Sequence, residues 1–246
     1  MITQLRSAAV VAGLRILARF TPWAESELLG LREVVKPDDT CVDIGAALGL
    51  YTVTLSRLVG LRGTVHSIEP LVFAHPTMSL LLRPREGPNI VRHSVALGTE
   101  QGRDVMSVPV RHGSPVTGRS FLTAGSRGLG SNVEFTDHLE VYVKTDTLDH
   151  FVETQGIRRV DFVKADVEGA ELRVLEGGKN TIDRFKPALL VEVEERHVER
   201  FGYQAQDVVD FLFDRGYRMS TWHRNRWVTA TTITDQTRNY LFRASG

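Results

Sequence analysis

The chain has 246 residues, 42% of them hydrophobic, which is enough for a single α/β domain with a substantial core. Thirty lysines and arginines balance thirty aspartates and glutamates, and this neutral balance argues against binding to nucleic acid or to an anionic membrane. The single cysteine, Cys41, excludes an internal disulfide and favours a reducing, cytoplasmic location.

An N-terminal helical segment is predicted over residues 1–35, where it is expected to pack on the core or on the partner of a homodimer. Three arginines interrupt the apolar spacing of residues 2–20, so neither a transmembrane span nor a signal peptide is expected there. A further helix is predicted from Trp23 to Val35. Residues 36–246 are predicted to form the main domain.

The cofactor site is predicted in the stretch from Cys41 to Thr52. Thr40 to Ile44 is short and apolar, as is typical of a buried parallel strand, and a glycine turn and a helix follow it. Asp43 needs a hydrogen-bonding partner or a ligand, because a buried carboxylate is otherwise costly. Gly45 and Gly49 permit a sharp turn and the close approach of a ligand. The D-x-G-x-x-x-G spacing matches neither a dinucleotide fingerprint nor a phosphate loop, which favours a ligand without a pyrophosphate.

A second strand is predicted to begin at Gly63 and to end in Glu69. In an open α/β sheet the ligand lies beyond the carboxyl ends of neighbouring strands, where an acid accepts hydrogen bonds from the ribose hydroxyls. Glu69 is the candidate for that role, and its pairing with Asp43 predicts an adenosine-type nucleoside. A third strand, Ile90 to Val95, places Ser94 close to a base edge.

The region from Gly98 to Gly130 is rich in glycine, serine and arginine and has weak periodicity, which predicts an edge hairpin and a mobile active-site loop. A strand over Val141 to Thr145 and a short helix ending at Glu153 follow it. Four residues of the loop region are either solvated or in contact with a polar substrate: His112, Arg119, Ser120 and Arg127.

Acidic residues follow two more predicted strands. Asp166 and Glu168 come after the fourth strand, and Glu192 and Glu194 come at the end of the fifth. Carboxylates gathered at adjacent strand ends repel one another unless protons or a cation intervene, which favours a hard divalent ion, Mg²⁺ first. Alternatively, Glu194 and Glu195 are solvated residues at a strand end.

The C-terminal part is predicted to begin with an amphipathic helix, Ala205 to Arg215, that packs its apolar side on the core. An antiparallel meander of three strands follows, over Tyr217–Trp222, Trp227–Thr232 and Asn239–Arg243.

In this order the motifs resemble the FkbM family of S-adenosylmethionine-dependent methyltransferases. The matching pieces are Val42–Thr52, Glu69-Pro70, Ala96–Gly98, Thr147–Asp149, Lys164–Glu171 and Leu190–Val193. The resemblance implies an α/β, Rossmann-like class I methyltransferase with a seven-stranded, mostly parallel sheet, one antiparallel strand and helices on both faces. It also implies S-adenosylmethionine as the methyl donor and an O-methyl acceptor. The motifs and this resemblance together predict the following cofactor-binding residues: Asp43, Gly45, Ala46, Gly49, Tyr51, Glu69, Ser94 and Val95.

The leading hypothesis is Mg²⁺-assisted methyl transfer to a hydroxyl of a small sugar, glycoside or glycolipid, because the variable loop region is polar and has few aromatic residues. The predicted metal ligands are Asp166, Glu168 and Glu192. Asp166 is also the first candidate for the general base, and His197 is the second. A polyketide-type hydroxyl as acceptor, an NAD-dependent oxidoreductase and a non-catalytic binding protein are the open alternatives.

Overall fold

The computed structural model describes residues 25–71 and 88–245. The helix predicted over residues 2–20 and the dimer contact expected of it lie outside these residues. Among the residues that are described, no helix is both long enough and apolar enough to cross a bilayer.

Thirteen strands are found in the described ranges. In chain order they are β1 (Thr40–Ile44), β2 (Thr64–Ile68), β3 (Ile90–His93), β4 (Ala96–Leu97), β5 (Gly102–Arg111), β6 (Ser114–Pro115), β7 (Phe121–Leu122), β8 (Asp137–Asp146), β9 (Phe162–Ala165), β10 (Ala188–Glu192), β11 (Tyr217–His223), β12 (Arg226–Thr229) and β13 (Asn239–Ala244).

Seven α-helices accompany these strands in the described part of the chain. They are α1 (Leu31–Val34), α2 (Leu50–Val59), α3 (Leu148–Thr154), α4 (Glu171–Gly177), α5 (Lys179–Phe185), α6 (Glu195–Val198) and α7 (Ala205–Phe213). Short 3₁₀ turns lie at Ser26–Leu29, Thr117–Arg119, Gly130–Glu134 and Glu199–Phe201.

The main sheet has the strand order β12-β11-β13-β10-β9-β1-β2-β3. The five strands from β10 to β3 are parallel, β13 is antiparallel to β10, and β11 pairs antiparallel with both β13 and β12. The prediction of seven strands with one antiparallel is therefore wrong in its count, because β12 adds an edge strand and both β12 and β13 run against the parallel set. Arg224 and Asn225 make this extra strand possible, since their φ angles of 49° and 61° form the tight turn that returns the chain alongside β11.

Each face of the main sheet packs on its own set of helices, as predicted. Val42 and Ile44 point into a core built with α3, α4, α5 and α7, whereas Cys41 points into a second core built with α1 and α2. This alternation follows from the two-residue period of a strand. Asp43 shares the parity of Cys41, so it lies on the face that α2 covers.

The helix predicted from Trp23 to Val35 is not continuous in its described part. A 3₁₀ turn, Ser26–Leu29, and the short helix α1 replace it, and they meet at Gly30. A Cβ atom at Gly30 would lie 2.6 Å from the ring of Trp222, so the indole of the C-terminal meander packs directly on this backbone. Tertiary packing therefore overrides the helical pattern of this segment.

The region from Gly98 to Gly130 contains the predicted edge hairpin, formed by β5 and β6, but more of it than predicted is strand, because it contributes to a second, five-stranded sheet. Its strands follow the order β4-β8-β5-β6, and β7 pairs with β5. The pairing of β5 with β8 runs from Gly102 opposite Thr145 to Val110 opposite Asp137. Such non-local pairing leaves only a weak periodic pattern in the local sequence.

Candidate active site

A cavity of about 380 Å³ opens at the carboxyl ends of the central parallel strands. The chain runs from β1 outwards to β2 and β3 and later returns to the other side of β1 with β9, so β1 is the point where the strand order reverses. Ligands bind at such a position in open α/β sheets. The predicted site residues that line the cavity are Gly45, Glu69, Val95, Asp166, Glu168, Glu192 and His197.

The turn after β1 depends on glycine at position 45. Gly45 has a φ of 75°, and its N–H and that of Ala46 both donate to the carbonyl of Ile68 at 3.0 Å. A Cβ atom at Gly45 would lie 1.8 Å from the carbonyl oxygen of Asp166. The turn thus brings the backbones that follow β1, β2 and β9 together, and no side chain fits between them.

Asp43 braces this turn from behind. Its Oδ2 accepts a hydrogen bond of 2.5 Å from Thr52 Oγ1, which lies 3.0 Å from Ser67 Oγ. Burial raises the pKa of Asp43 to about 6, although the hydrogen bond from Thr52 opposes the shift. Asp43 is 1% exposed and is not among the residues that line the cavity, so the structure gives it a supporting position under the turn.

Glu69, in contrast, faces the cavity and links two turns. Its Oε2 accepts a hydrogen bond of 2.9 Å from the N–H of Ala47, and its Oε1 accepts one of 2.7 Å from the N–H of Leu71. Burial raises the pKa of Glu69, and the two backbone donors act against that rise. Because each carboxylate oxygen has a second lone pair, Glu69 keeps acceptor capacity for a ligand.

The other predicted cofactor residues lie around the cavity without lining it, and they are Ala46, Gly49, Tyr51 and Ser94. Gly49 caps helix α2 with a φ of 80°. Tyr51 donates a hydrogen bond to Glu25 and lies under Lys164 Nζ, which is 5.0 Å from the ring centre. Ser94 is exposed, and its Oγ is 3.5 Å from the carbonyl oxygen of Pro70.

Lys164 and Asp166 form an ion pair in the wall of the cavity. Lys164 is 1% exposed, and its Nζ donates to Asp166 Oδ2 at 3.2 Å and to Asn239 Oδ1 at 3.0 Å. Burial lowers the pKa of this lysine, but the carboxylates of Asp166, Glu25 and Glu192 together raise it above the usual value. The lysine therefore stays charged and holds Asp166 in place.

Three buried side chains next to Asp166 have polar atoms without a hydrogen-bond partner among the described residues: Oε2 of Glu168, Oε2 of Glu192 and both ring nitrogens of His197. His197 Nδ1 lies 3.5 Å from the Glu168 oxygen and 3.8 Å from the Glu192 oxygen. The burial of such atoms costs free energy unless a ligand or an ion bonds to them.

The side chains around Asp166 include carboxylates that could hold a metal ion. One ligand atom from each of Asp166, Glu168 and Glu192 lies within 4.8 Å of the others, and the same holds for Glu192, Glu194 and His197. Burial, and then the charge of Asp166, raise the pKa of Glu168 and of Glu192 well above the usual value. Burial lowers the pKa of His197 to about 4, so its ring is neutral at pH 7.

Glu194 and Glu195 are paired rather than simply solvated. Glu194 lies 2.6 Å from Arg196 Nε and 3.2 Å from Arg238 Nε. Burial alone would raise the pKa of Glu194, but the hydrogen bonds and charges of these arginines and of His197 lower it. Glu195 accepts a hydrogen bond of 3.0 Å from the N–H of Ala205 at the start of α7.

The second sheet and the N-terminal side also supply residues that reach the cavity. The second sheet contributes Met106, Leu122 and the 3₁₀ turn Thr117–Arg119 with Ser120. Arg119 and Ser120 were recognised as possible substrate contacts, and both line the cavity, whereas His112 and Arg127 do not. Arg119 Nε lies 3.8 Å from Glu168 Oε2. Glu25 lines the cavity from the N-terminal side, and no sequence pattern indicated it.

Solved structures identify the fold. The crystal structure of methyltransferase FkbM from Methylobacillus flagellatus KT has a TM-score of 0.50 and 18% sequence identity, and the match covers 84% of this chain and 43% of that one. The cofactor-bound structure of Rv0187 from MTB also has a TM-score of 0.50, with 11% identity, and covers 97% of this chain and 89% of that one. The fold is the Rossmann-like α/β fold of class I methyltransferases.

The family follows from the sequence comparison. The model of the methyltransferase FkbM domain matches residues 43–219, so this chain belongs to the FkbM methyltransferase family, as its motifs predicted. Methyltransferase 1 of Beauveria bassiana (strain ARSEF 2860) is 26% identical over 148 residues, which are 57% of this chain and 59% of that protein. The chain thus spans about three fifths of the length of that curated relative and less than half of the Methylobacillus chain.

Proposed function

We propose that the protein is an S-adenosylmethionine-dependent O-methyltransferase that acts on a hydroxyl of a small sugar, glycoside or glycolipid with the help of Mg²⁺. The observation that carries the proposal is the position of the unpartnered buried atoms of Glu168, Glu192 and His197. They line the same cavity as the glycine turn and Glu69, so one cavity has a nucleoside end and an acidic end. Membership of the FkbM family supports methyl transfer as the reaction.

The nucleoside end suits an adenosine-containing donor. The turn at Gly45 has no side chain that would keep a ligand away, and Glu69 retains lone pairs that accept hydrogen bonds from ribose hydroxyls. S-adenosylmethionine, when bound, supplies a methyl group that its sulfonium already activates. The task of the protein is therefore to hold the acceptor oxygen in line with that methyl group and to exclude water.

The acidic end provides the proton acceptor that a hydroxyl nucleophile needs. Asp166 is proposed as the general base, because its carboxylate lines the cavity while Lys164 holds it in place. His197 is the alternative. Its ring is neutral at pH 7, because burial lowers its pKa to about 4, and both of its nitrogens lack a partner among the described residues.

Asp166, Glu168 and Glu192 would hold the Mg²⁺ ion. Their oxygen atoms meet within 4.8 Å, and acids this close do not all ionise unless a cation compensates them. Oxygen ligands from carboxylates suit Mg²⁺, which prefers to keep water or substrate oxygens as its other ligands. A bound divalent ion would lower the pKa of a coordinated hydroxyl.

A polar acceptor is favoured by the wall that the second sheet supplies. Thr117, Arg119 and Ser120 line the cavity, with Arg119 next to Glu168, and no Phe, Tyr or Trp side chain of the described residues lines it. Hydrogen-bonding groups without a stacking platform suit a sugar hydroxyl better than a polyketide.

The test is transfer of a labelled methyl group from S-adenosylmethionine to a panel of simple glycosides and to a polyketide lactone. Chelation is expected to abolish transfer, and added Mg²⁺ to restore it. Glu192→Gln is expected to lower kcat at least about 100-fold, because it removes a ligand and leaves the others misplaced. Glu140→Gln, an exposed acid of the second sheet, serves as the control. Full activity after exhaustive chelation would rule out a role for the metal ion in the reaction. Methyl transfer to the lactone and to none of the glycosides would rule out a sugar acceptor.

A further inference from the structure

We propose that Glu25 binds the α-ammonium group of the methionine part of the donor, an inference that rests on the proposed S-adenosylmethionine site. Glu25 lies before the first residue of the family match, which begins at residue 43. Its carboxylate nevertheless lines the same cavity as Gly45, Glu69 and Asp166. A segment outside the family match thus contributes to the donor pocket.

The position of Glu25 is fixed by its neighbours. Its Oε2 accepts a hydrogen bond from the hydroxyl of Tyr51, while no described residue donates to its Oε1. Leu28 and Leu31, just after it, are buried in the core that α2 covers. The acid is thus anchored through one oxygen, and no donor among the described residues occupies the other.

The charges at this end of the cavity favour an added cation. Glu25 interacts electrostatically with Lys164 and with Asp166, and burial raises the pKa of Glu25. Glu192 also interacts with Lys164, so the carboxylates around this buried lysine outnumber it. Lys164 is buried and donates to Asp166 and Asn239, so it does not neutralise Glu25 by a direct hydrogen bond. An additional cation would complete the group.

The shape of the donor brings its amino-acid part to this end. In S-adenosylmethionine the ribose lies on one side of the sulfur and the amino-acid chain on the other. With the ribose at Glu69, beyond β2, the amino-acid chain extends across the turn after β1 towards the end of β9. Lys164 and Asp166 mark that end, and Glu25 is the further acid that interacts with both.

The test compares two ligands on the full chain by titration calorimetry: S-adenosylhomocysteine and its deamino analogue, which lacks only the α-amino group. Wild-type protein is expected to bind S-adenosylhomocysteine roughly 10- to 100-fold more tightly than the analogue, as for a hydrogen bond between charged groups. Glu25→Gln is expected to weaken S-adenosylhomocysteine by that factor and to leave the analogue unchanged. Glu27→Gln removes a neighbouring acid that does not line the cavity, and it is expected to bind as wild type does.

Equal affinity of wild type for the two ligands would overturn the role of Glu25, as would an equal loss of both ligands in Glu25→Gln. Either result leaves the donor site itself intact. If wild-type protein does not bind S-adenosylhomocysteine at all, both the proposed function and the role of Glu25 are ruled out. If Glu25→Gln does not fold, the comparison in wild type still decides. Tyr51→Phe then supplies the second variant, and its loss is expected to fall on S-adenosylhomocysteine and not on the analogue.

Discussion

The Nζ of Lys164 lies 3.2 Å from Oδ2 of Asp166, with the lysine buried inside the sheet and the carboxylate reaching the cavity. The pair joins the core to the site, because a cation that is surrounded by protein orients an acid that meets the ligand. A buried charge tolerates the loss of its partner poorly.

Lys164→Met is therefore expected to lower the free energy of unfolding by about 3 kcal/mol, the lower end for a broken buried pair, since Asp166 reaches the cavity. This corresponds to a fall in Tm of roughly 6–12 °C in a thermal melt. The double variant Lys164→Met with Asp166→Asn is expected to be more stable than the single variant, because it also removes the charge that the lysine pairs with directly. Lys144→Met, at an exposed position, is the control, and an equal effect at both lysines would contradict the argument.

Gly45 and Gly60 provide a matched pair for testing the turn after β1. Both have positive φ angles, 75° and 69°, but a Cβ at Gly45 would meet the carbonyl of Asp166 at 1.8 Å, whereas at Gly60 nothing lies within 4 Å. Gly60→Ala is expected to cost only the backbone penalty of a conformation that glycine alone adopts readily, φ 69° and ψ −171°, about 1–3 kcal/mol. Gly45→Ala is expected to cost roughly 1–3 kcal/mol more and to prevent binding of S-adenosylhomocysteine. Urea denaturation measures the free energy of unfolding of both variants. Equal losses would show that the turn after β1 shifts enough to accept a side chain at position 45.

Glu69 and Asp43 are expected to respond differently to neutralisation. Glu69→Gln replaces one acceptor oxygen with a donor that opposes the N–H of Ala47 or Leu71, so affinity for S-adenosylhomocysteine should fall roughly 10- to 100-fold. Asp43→Asn keeps an acceptor for Thr52 and should change affinity by no more than about threefold, since Asp43 lies behind the turn. Calorimetric titration of both variants with S-adenosylhomocysteine shows which of them loses more affinity. A larger loss at Asp43 would place its carboxylate in the donor site after all.

Asp43→Asn is also expected to leave stability at pH 7 unchanged or higher. Burial raises the pKa of Asp43 to about 6, above its unfolded value of about 3.9, so the folded state disfavours the ionised form. The contribution of this group to stability is present below the unfolded pKa and is lost as the pH rises through 6. Asparagine has no such charge. A clear loss of stability at pH 7 would mean that the ionised carboxylate stabilises the turn.

A histidine pair at the edge of the parallel strands predicts sensitivity to acid. His66 Nδ1 lies 3.1 Å from His93 Nε2, and both rings contact Phe151 edge-on. Burial, and then the charge of His93, lower the pKa of His66 to about 4, while the unfolded value is about 6.5. The unfolded state therefore takes up protons first, and this pair reduces stability as the pH falls from 6.5 towards 4.

His66→Gln is expected to reduce the slope of stability against pH in that window by up to about 1.4 kcal/mol per pH unit, the limit for one proton. His112→Gln, at an exposed position, should leave the slope unchanged. The comparison is made between variants, because buried acids such as Asp43 titrate with the opposite sign. Urea denaturation at several pH values measures both slopes, and identical slopes in wild type and His66→Gln would show that the pKa of His66 is the same in the folded and unfolded states.

Local patterns were sufficient for the parts of the site that lie at the ends of short apolar strands. The strand Thr40–Ile44, the glycine turn and the acids at 69, 166 and 192 follow from hydrophobic runs and from the residues that end them. Parallel strands bring their carboxyl ends to one edge, so these acids had to be neighbours in a doubly wound sheet. The interruption at Gly30 did not follow, because it depends on packing against Trp222, a distant part of the chain.

The sequence by itself determined the order of strands and helices along the central sheet, the family and the acids that meet at its edge, because each of these depends on a local pattern or a short motif. Only the tertiary structure decided which side chains face the cavity. Asp43 turned out to brace the turn because α2 covers its face of the strand, whereas Glu25 and Arg119 reach the cavity from segments distant in sequence. Orientation of this kind depends on which distant segments pack together, and the apolar period of a segment shows only that one of its faces is buried.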